Sequence, residues 1–190
     1  MAARRLGLDP KAAGDLRLTR TCRSCGGPHG KPQIAGAELS LSKTGGMVAV
    51  ASGPSSSPVG IDIERIPDEV FPGFDDYVLA PTESVPHGGD AVRSRLELWV
   101  AKEAALKTTG HGLSIRPGEL EVVRTGDQAS PVTGGGVWVS SIEAPEHPEL
   151  NGLSLASLSR FPYYAAALSC ADRLPVTSLR LSELLTVEHR

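Results

Sequence analysis

The sequence predicts an α+β fold, and three observations carry that reading. Strand-like runs separated by Gly- and Pro-rich turns make up most of the chain, with 21 Gly and 15 Pro among 190 residues. One dominant helical pattern, from Asp90 to Lys107, interrupts them. Strands and helices do not alternate regularly, which argues against a doubly wound parallel sheet.

Leu6 to Leu18 is broken by Pro10 and Gly14, so any helix there is short. Thr21 to Pro32 is a loop by composition. Leu39 to Ser42 alternates as a strand, Gly45-Gly46 marks a tight turn, and Met47 to Ala51 is the partner strand. Ser52 to Pro58 is a polar connector and the candidate lobe boundary, which divides the chain into 1–57 and 58–190. Val59 to Glu64 is a strand closed by Pro67. In the long helix Leu96, Val100 and Ala104 recur every four residues on one face, and Gly110 and Gly112 end it. Glu119–Arg124, Val137–Ile142 and Tyr163–Cys170 are further strands.

Composition narrows the function. Nineteen Lys and Arg against 22 Asp and Glu give a net charge of −3, unlike a general nucleic-acid coat. The charge is uneven. Residues 1–43 hold eight basic and three acidic residues, and the rest hold eleven and nineteen. The split fits either solvated helix faces or a chain that meets an anion at one end and a cation at the other. No apolar run approaches the ~20 residues that cross a bilayer. The N-terminus has no apolar signal region, and three cysteines make no disulfide framework. A cytoplasmic protein is the expectation. Cys22-Arg-Ser-Cys25 with His29 offers three of the four ligands of a structural zinc site, and Cys170 is distant, so neither zinc nor a redox pair is assigned there.

Two segments carry chemistry. In Gly60-Ile-Asp-Ile-Glu64, strand alternation puts Asp62 and Glu64 on one face, about 7 Å apart, and the isoleucines on the other. Such carboxylates are either solvated on an edge strand or share a cation, and oxygen ligands suit Mg²⁺. In Trp99-Val-Ala-Lys-Glu-Ala-Ala-Leu-Lys107, Trp99, Glu103 and Lys107 line one helical stripe, with Lys102 a quarter turn away. Glu103 and Lys107 are either an ordinary surface pair or two reagents one turn apart.

Each segment alone is a common pattern. Together, with Asp62 and Lys102 separated by 40 positions, they resemble the signature of the 4′-phosphopantetheinyl transferase superfamily. His29-Gly-Lys-Pro32, Ser40-Leu-Ser-Lys-Thr-Gly45, Leu79-Ala-Pro-Thr-Glu83 and Gly110-His-Gly-Leu113 extend the resemblance to its two-lobed, broad-specificity branch, the type that activates surfactin synthetase. The resemblance implies two pseudo-symmetric lobes, each a small sheet packed on a long helix. It also implies a first lobe shortened at its start, because Ala2–Pro10 is similar to the middle of that branch's first helix.

The implied activity is Mg²⁺-dependent transfer of the phosphopantetheine arm of coenzyme A to a serine of an apo acyl or peptidyl carrier protein, releasing 3′,5′-ADP. Asp62, Glu64 and Glu103 match the metal ligands. Glu103 or Glu83 matches the base. Lys107, with Lys102 beside it, matches the group that stabilises the departing ADP. Lys31, Pro32, Ser42 and Lys43 match the nucleotide-binding elements, although Lys43 stands where a histidine is usual. A monomer acting on peptide- or polyketide-synthase carriers is implied, with no nucleic acid and no membrane. The shortened start and Lys43 leave open a relative that binds coenzyme A or a carrier without transfer. An unrelated Mg²⁺-dependent phosphoester hydrolase is the third alternative.

Overall fold

The structure is a computed structural model that describes residues 1–88, 90–124, 132–133, 136–158 and 162–185. It contains two sheets. The first has strand order β1-β2-β3-β4, all antiparallel, from β1 (Thr19–Arg20), β2 (Pro32–Ile34), β3 (Ala37–Thr44) and β4 (Met47–Pro54). The second contains β5 (Val59–Arg65), β6 (Glu121–Arg124), β7 (Val132–Thr133), β8 (Gly136–Glu143), β9 (Ser154–Leu158), β10 (Tyr164–Cys170) and β11 (Val176–Thr177). Its order is β11-β7-β8-β9-β10-β5, with β6 paired to β8, and it is antiparallel except where β11 meets β7. The helices are α1 (Ala2–Arg5), α2 (Phe74–Val78), α3 (Ala91–Thr109) and α4 (Leu181–Leu185). Among the described residues no helix is long and apolar enough to cross a membrane.

The α+β class therefore stands. The long helix is α3, on the second sheet. Among the described residues, the helical segments that precede the first sheet are α1, which ends before Gly7, and a 3₁₀ turn that opens at Pro10 and runs through Gly14 to Asp15, so both are short as expected although Gly14 does not break the turn. The hairpin at Gly45-Gly46 forms as its glycines predict, with positive φ at both. The polar connector is shorter than its composition suggests, because β4 continues to Pro54 opposite Ala37. The strand expected from Glu119 starts at Glu121, since Pro117 opens a 3₁₀ turn there. The pattern reading passed over the central strand β9, whose Ser154-Leu-Ala-Ser-Leu158 is short but alternating.

β5 positions the site. It is the edge strand of its sheet, and its two faces meet different neighbours. Ile61 packs with Val59, Leu168 and Ala51 of the first sheet. The opposite face is covered by α3, where Val100, Ala101, Ala104 and Ala105 pack against Ala165 and Ala167 of β10, the partners of Glu64 and Asp62 in register. Gly60 makes that approach possible: a Cβ there would stand 2.0 Å from the Ala104 carbonyl oxygen. The α3 pattern read as one apolar face, yet every residue from Val100 to Leu106 is buried. β5 and β10 cover one side, and the segment around α2 covers another through Phe74 and Tyr77 against Trp99, with ring centroids 6.0 and 6.3 Å apart.

Candidate functional site

The acidic face of β5 and the last turns of α3 meet at the seam between the two sheets. Asp62 is 1% exposed and Glu103 is 8% exposed, so the solvated edge strand is excluded. Lys107 does not pair with Glu103 along the helix. Its Nζ instead donates to Asp62 Oδ1 at 2.5 Å and to Ser42 Oγ at 3.1 Å. The Ser42 hydroxyl donates to the same Asp62 oxygen at 2.7 Å. β3 is held to the edge of β5 by Ser40, which sequence reasoning missed: the Ile61 N–H donates to its buried hydroxyl at 3.0 Å.

Two oxygens in this group are buried without a partner, Asp62 Oδ2 and Glu103 Oε1. Burial, reinforced by the charge of Asp62 and then Glu64 and opposed by Lys107, pushes the Glu103 carboxyl up to about 7. Burial also raises Glu64, with Asp62 adding to the effect and the Thr44 hydroxyl opposing it. The three carboxylates thus act on one another electrostatically. They do not form a tight cluster, because the one trio of potential ligand atoms within 4.8 Å of each other among the described residues is Cys22, Cys25 and His29.

Glu83 and Lys102 are brought together elsewhere. Lys102 is fully buried and donates to Glu83 Oε2 at 2.5 Å and to the Val78 carbonyl at 2.6 Å. Burial lowers its pKa, and Glu83 opposes that shift. Glu83 Oε2 also accepts from the Ala80 N–H, and Oε1 from the Val122 N–H. Both residues are therefore engaged in pinning the α2 segment and β6 to α3. No hydrogen bond or ion pair among the described residues links either to Asp62, Glu64 or Lys107.

The nucleotide-binding candidates divide. Ser42 is in the seam. Lys31 is mostly buried and bonds Glu38 at 2.6 Å and the Thr108 carbonyl at 2.8 Å, at the C-terminus of α3. Lys43 alternates away from Ser42 and is exposed beside Leu41. Pro32 opens β2 opposite Arg20. Arg23, unmarked in the sequence, donates to the Thr109 carbonyl at 2.6 Å and ties the Cys22–His29 loop to the same helix end.

This is an α+β protein in which a buried aspartate on one edge strand and a buried glutamate on the long helix meet a half-buried lysine at the seam of two sheets. The family model of the 4′-phosphopantetheinyl transferase superfamily matches residues 58–156, just over half of the chain, and the chain belongs to that superfamily. The matched segment contains Asp62, Glu64, Glu83, Lys102, Glu103 and Lys107. Lys31, Pro32, Ser42 and Lys43 lie outside it. Membership supports a transferase of the phosphopantetheinyl transferase kind, a family whose partners in general are coenzyme A and a carrier protein. No curated protein matches the sequence.

Proposed function

We propose that the protein transfers the 4′-phosphopantetheine arm of coenzyme A to a serine of an apo acyl or peptidyl carrier protein. It acts in the manner of the two-lobed, broad-specificity branch, as a monomer with lobes 1–57 and 58–190. The observation that carries this reading is the buried, incompletely partnered Asp62–Glu103 group with Lys107 against it.

The donor set fits a divalent cation. Asp62 Oδ2 and Glu103 Oε1 lack partners in a buried setting, an arrangement that costs energy unless a cation or proton satisfies it. Asp62, Glu64 and Glu103 would hold Mg²⁺, which suits hard oxygen ligands and phosphate. Bound there, the cation supplies charge neutralisation to the coenzyme A diphosphate.

The side chains do the rest. The carrier serine oxygen attacks the phosphorus that bears the pantetheine arm, and the bond from that phosphorus to the ADP oxygen breaks. Glu103 accepts the serine proton, directly or through a water. It is favoured over Glu83, whose two oxygens are taken by Lys102 and two backbone amides. Lys107 faces the charge that develops on 3′,5′-ADP. Its Nζ is already oriented by Ser42 and Asp62.

The test is incubation with coenzyme A, Mg²⁺ and an apo carrier protein, read by mass. Gain of the pantetheine arm is expected. Binding of coenzyme A without mass gain makes the protein a binder only, and breakdown of coenzyme A without carrier makes it a hydrolase. Glu103→Gln lowers the transfer rate by about 10²–10⁴-fold with the fold intact. A near wild-type rate for that variant rejects the assignment.

A further inference from the structure

We propose that the loop from Cys22 to His29 is a zinc site, with Cys22 Sγ, Cys25 Sγ and His29 Nε2 as ligands and water in the fourth position. The sequence alone showed three candidate ligands and no fourth. The fold shows that the three meet: their ligand atoms all lie within 4.8 Å of one another, and Cys25 Sγ stands 3.0 Å from His29 Nε2. Tetrahedral zinc places such atoms about 3.5–3.8 Å apart, a difference that rotation of exposed side chains can close. Both thiols and Cys170 are free, so no disulfide competes for the sulfurs.

The backbone around them is built for convergence. The Cys22 N–H donates to the Gly27 carbonyl at 2.8 Å and the Gly26 N–H to the Cys22 carbonyl at 2.9 Å, closing a turn that puts both sulfurs on one side. Gly26 takes the φ of +73° which that turn requires. The backbone amides of Cys25 and Ser24 point at the Cys22 sulfur, which fixes its place in the turn. The His29 ring fills the space a side chain on Gly27 would need: a Cβ there would meet its Cδ2 at 3.0 Å and Cys25 Sγ at 3.3 Å. Gly30 then brings the return leg flat against Thr21, with room for no Cβ at all.

Two sulfurs and an imidazole select a borderline-soft cation, so this site and the oxygen site at Asp62 discriminate between zinc and magnesium. Cys25 and His29 are exposed, which leaves the fourth position to solvent. The loop also carries two anchors of the α3 C-terminus, Arg23 on the Thr109 carbonyl and Lys31 on the Thr108 carbonyl. Bound zinc would hold both anchors in place.

Cobalt titration of the reduced, metal-free full chain tests this. The expected result is thiolate-to-cobalt charge-transfer absorption that saturates at one equivalent, is displaced by zinc and is unaffected by magnesium. His29→Asn should weaken zinc binding by about tenfold or more, and Cys22→Ser with Cys25→Ser should abolish the band. The wild-type spectrum decides the matter even where a variant fails to fold. Absence of the band, or its appearance only with a large excess of cobalt, overturns the proposal.

Discussion

A carboxyl group buried beside two others is a weak acid, and Glu103 shows the consequence at the scale of one residue. Its pKa in the folded protein is about 7 against an ordinary 4.5. The folded state therefore binds this proton more tightly than the unfolded state. The stability it contributes is whole below about pH 4.5 and is lost as pH rises through about 7. Glu64, raised in the same direction, adds to the loss. In metal-free protein, urea midpoints should fall between about pH 5 and pH 8 by the equivalent of about 3 kcal/mol from Glu103, and Glu103→Gln should flatten that fall. Added Mg²⁺ should reduce it in the wild type. An equal pH dependence in the wild type and the variant would show that Glu103 does not carry the effect.

Lys102 makes the opposite case. Its ammonium is fully buried against Glu83, which is itself 6% exposed. Removing one partner leaves an uncompensated buried charge, at a cost of roughly 3–5 kcal/mol. Lys102→Met should lower stability by that amount in chemical denaturation, and a further Glu83→Gln should restore part of it. Transfer measured per folded molecule separates structure from catalysis: a large loss in that quantity would give Lys102 a direct role.

At the scale of elements, the junction of β5 and α3 depends on Gly60. An added methyl would stand 2.0 Å from the Ala104 carbonyl oxygen and 2.5 Å from the Thr108 amide, both backbone atoms that cannot yield separately. Gly60→Ala must push the helix off the strand, at a cost of about 1–3 kcal/mol or more. The same shift moves Lys107 away from Asp62, so transfer should fall along with the denaturation midpoint. A stable, fully active Gly60→Ala protein would refute this account of the junction. The elements that make the junction were legible: the period-two alternation of β5 and the capped run of α3 are local patterns, and both lie close to where the sequence placed them. Their long-range partners were not. Nothing near Glu83 announces that its carboxylate reaches Lys102, nineteen positions away, and two backbone amides. Lys43 shows a signal that was present in the sequence: adjacent strand residues point to opposite faces, so Ser42 in the seam puts Lys43 outside it. The meeting of Cys22, Cys25 and His29 rested on backbone turns at Gly26 and Gly30 that spacing alone does not reveal.

Over the whole molecule, the two sheets are joined through the site itself. The edge of β5, which would otherwise present unpaired backbone groups, is covered by β3. The Ser40 hydroxyl accepts from Ile61, and Ser42 binds Asp62, which Lys107 of α3 also holds. Ala51 of β4 packs into the same cluster as Val59, Ile61 and Leu168. Opening the seam therefore breaks contacts of both sheets at once, and the described elements should unfold together. Ser40→Ala tests this without touching the carboxylates. It leaves the buried Ile61 N–H unsatisfied, which costs about 1–3 kcal/mol. Native-state hydrogen exchange should show protection falling by the same amount in β3 and β5, because both amide sets open in one event. If β3 loses protection while β5 keeps it, the sheets open independently, and the seam cannot be what holds Ser42 against Asp62.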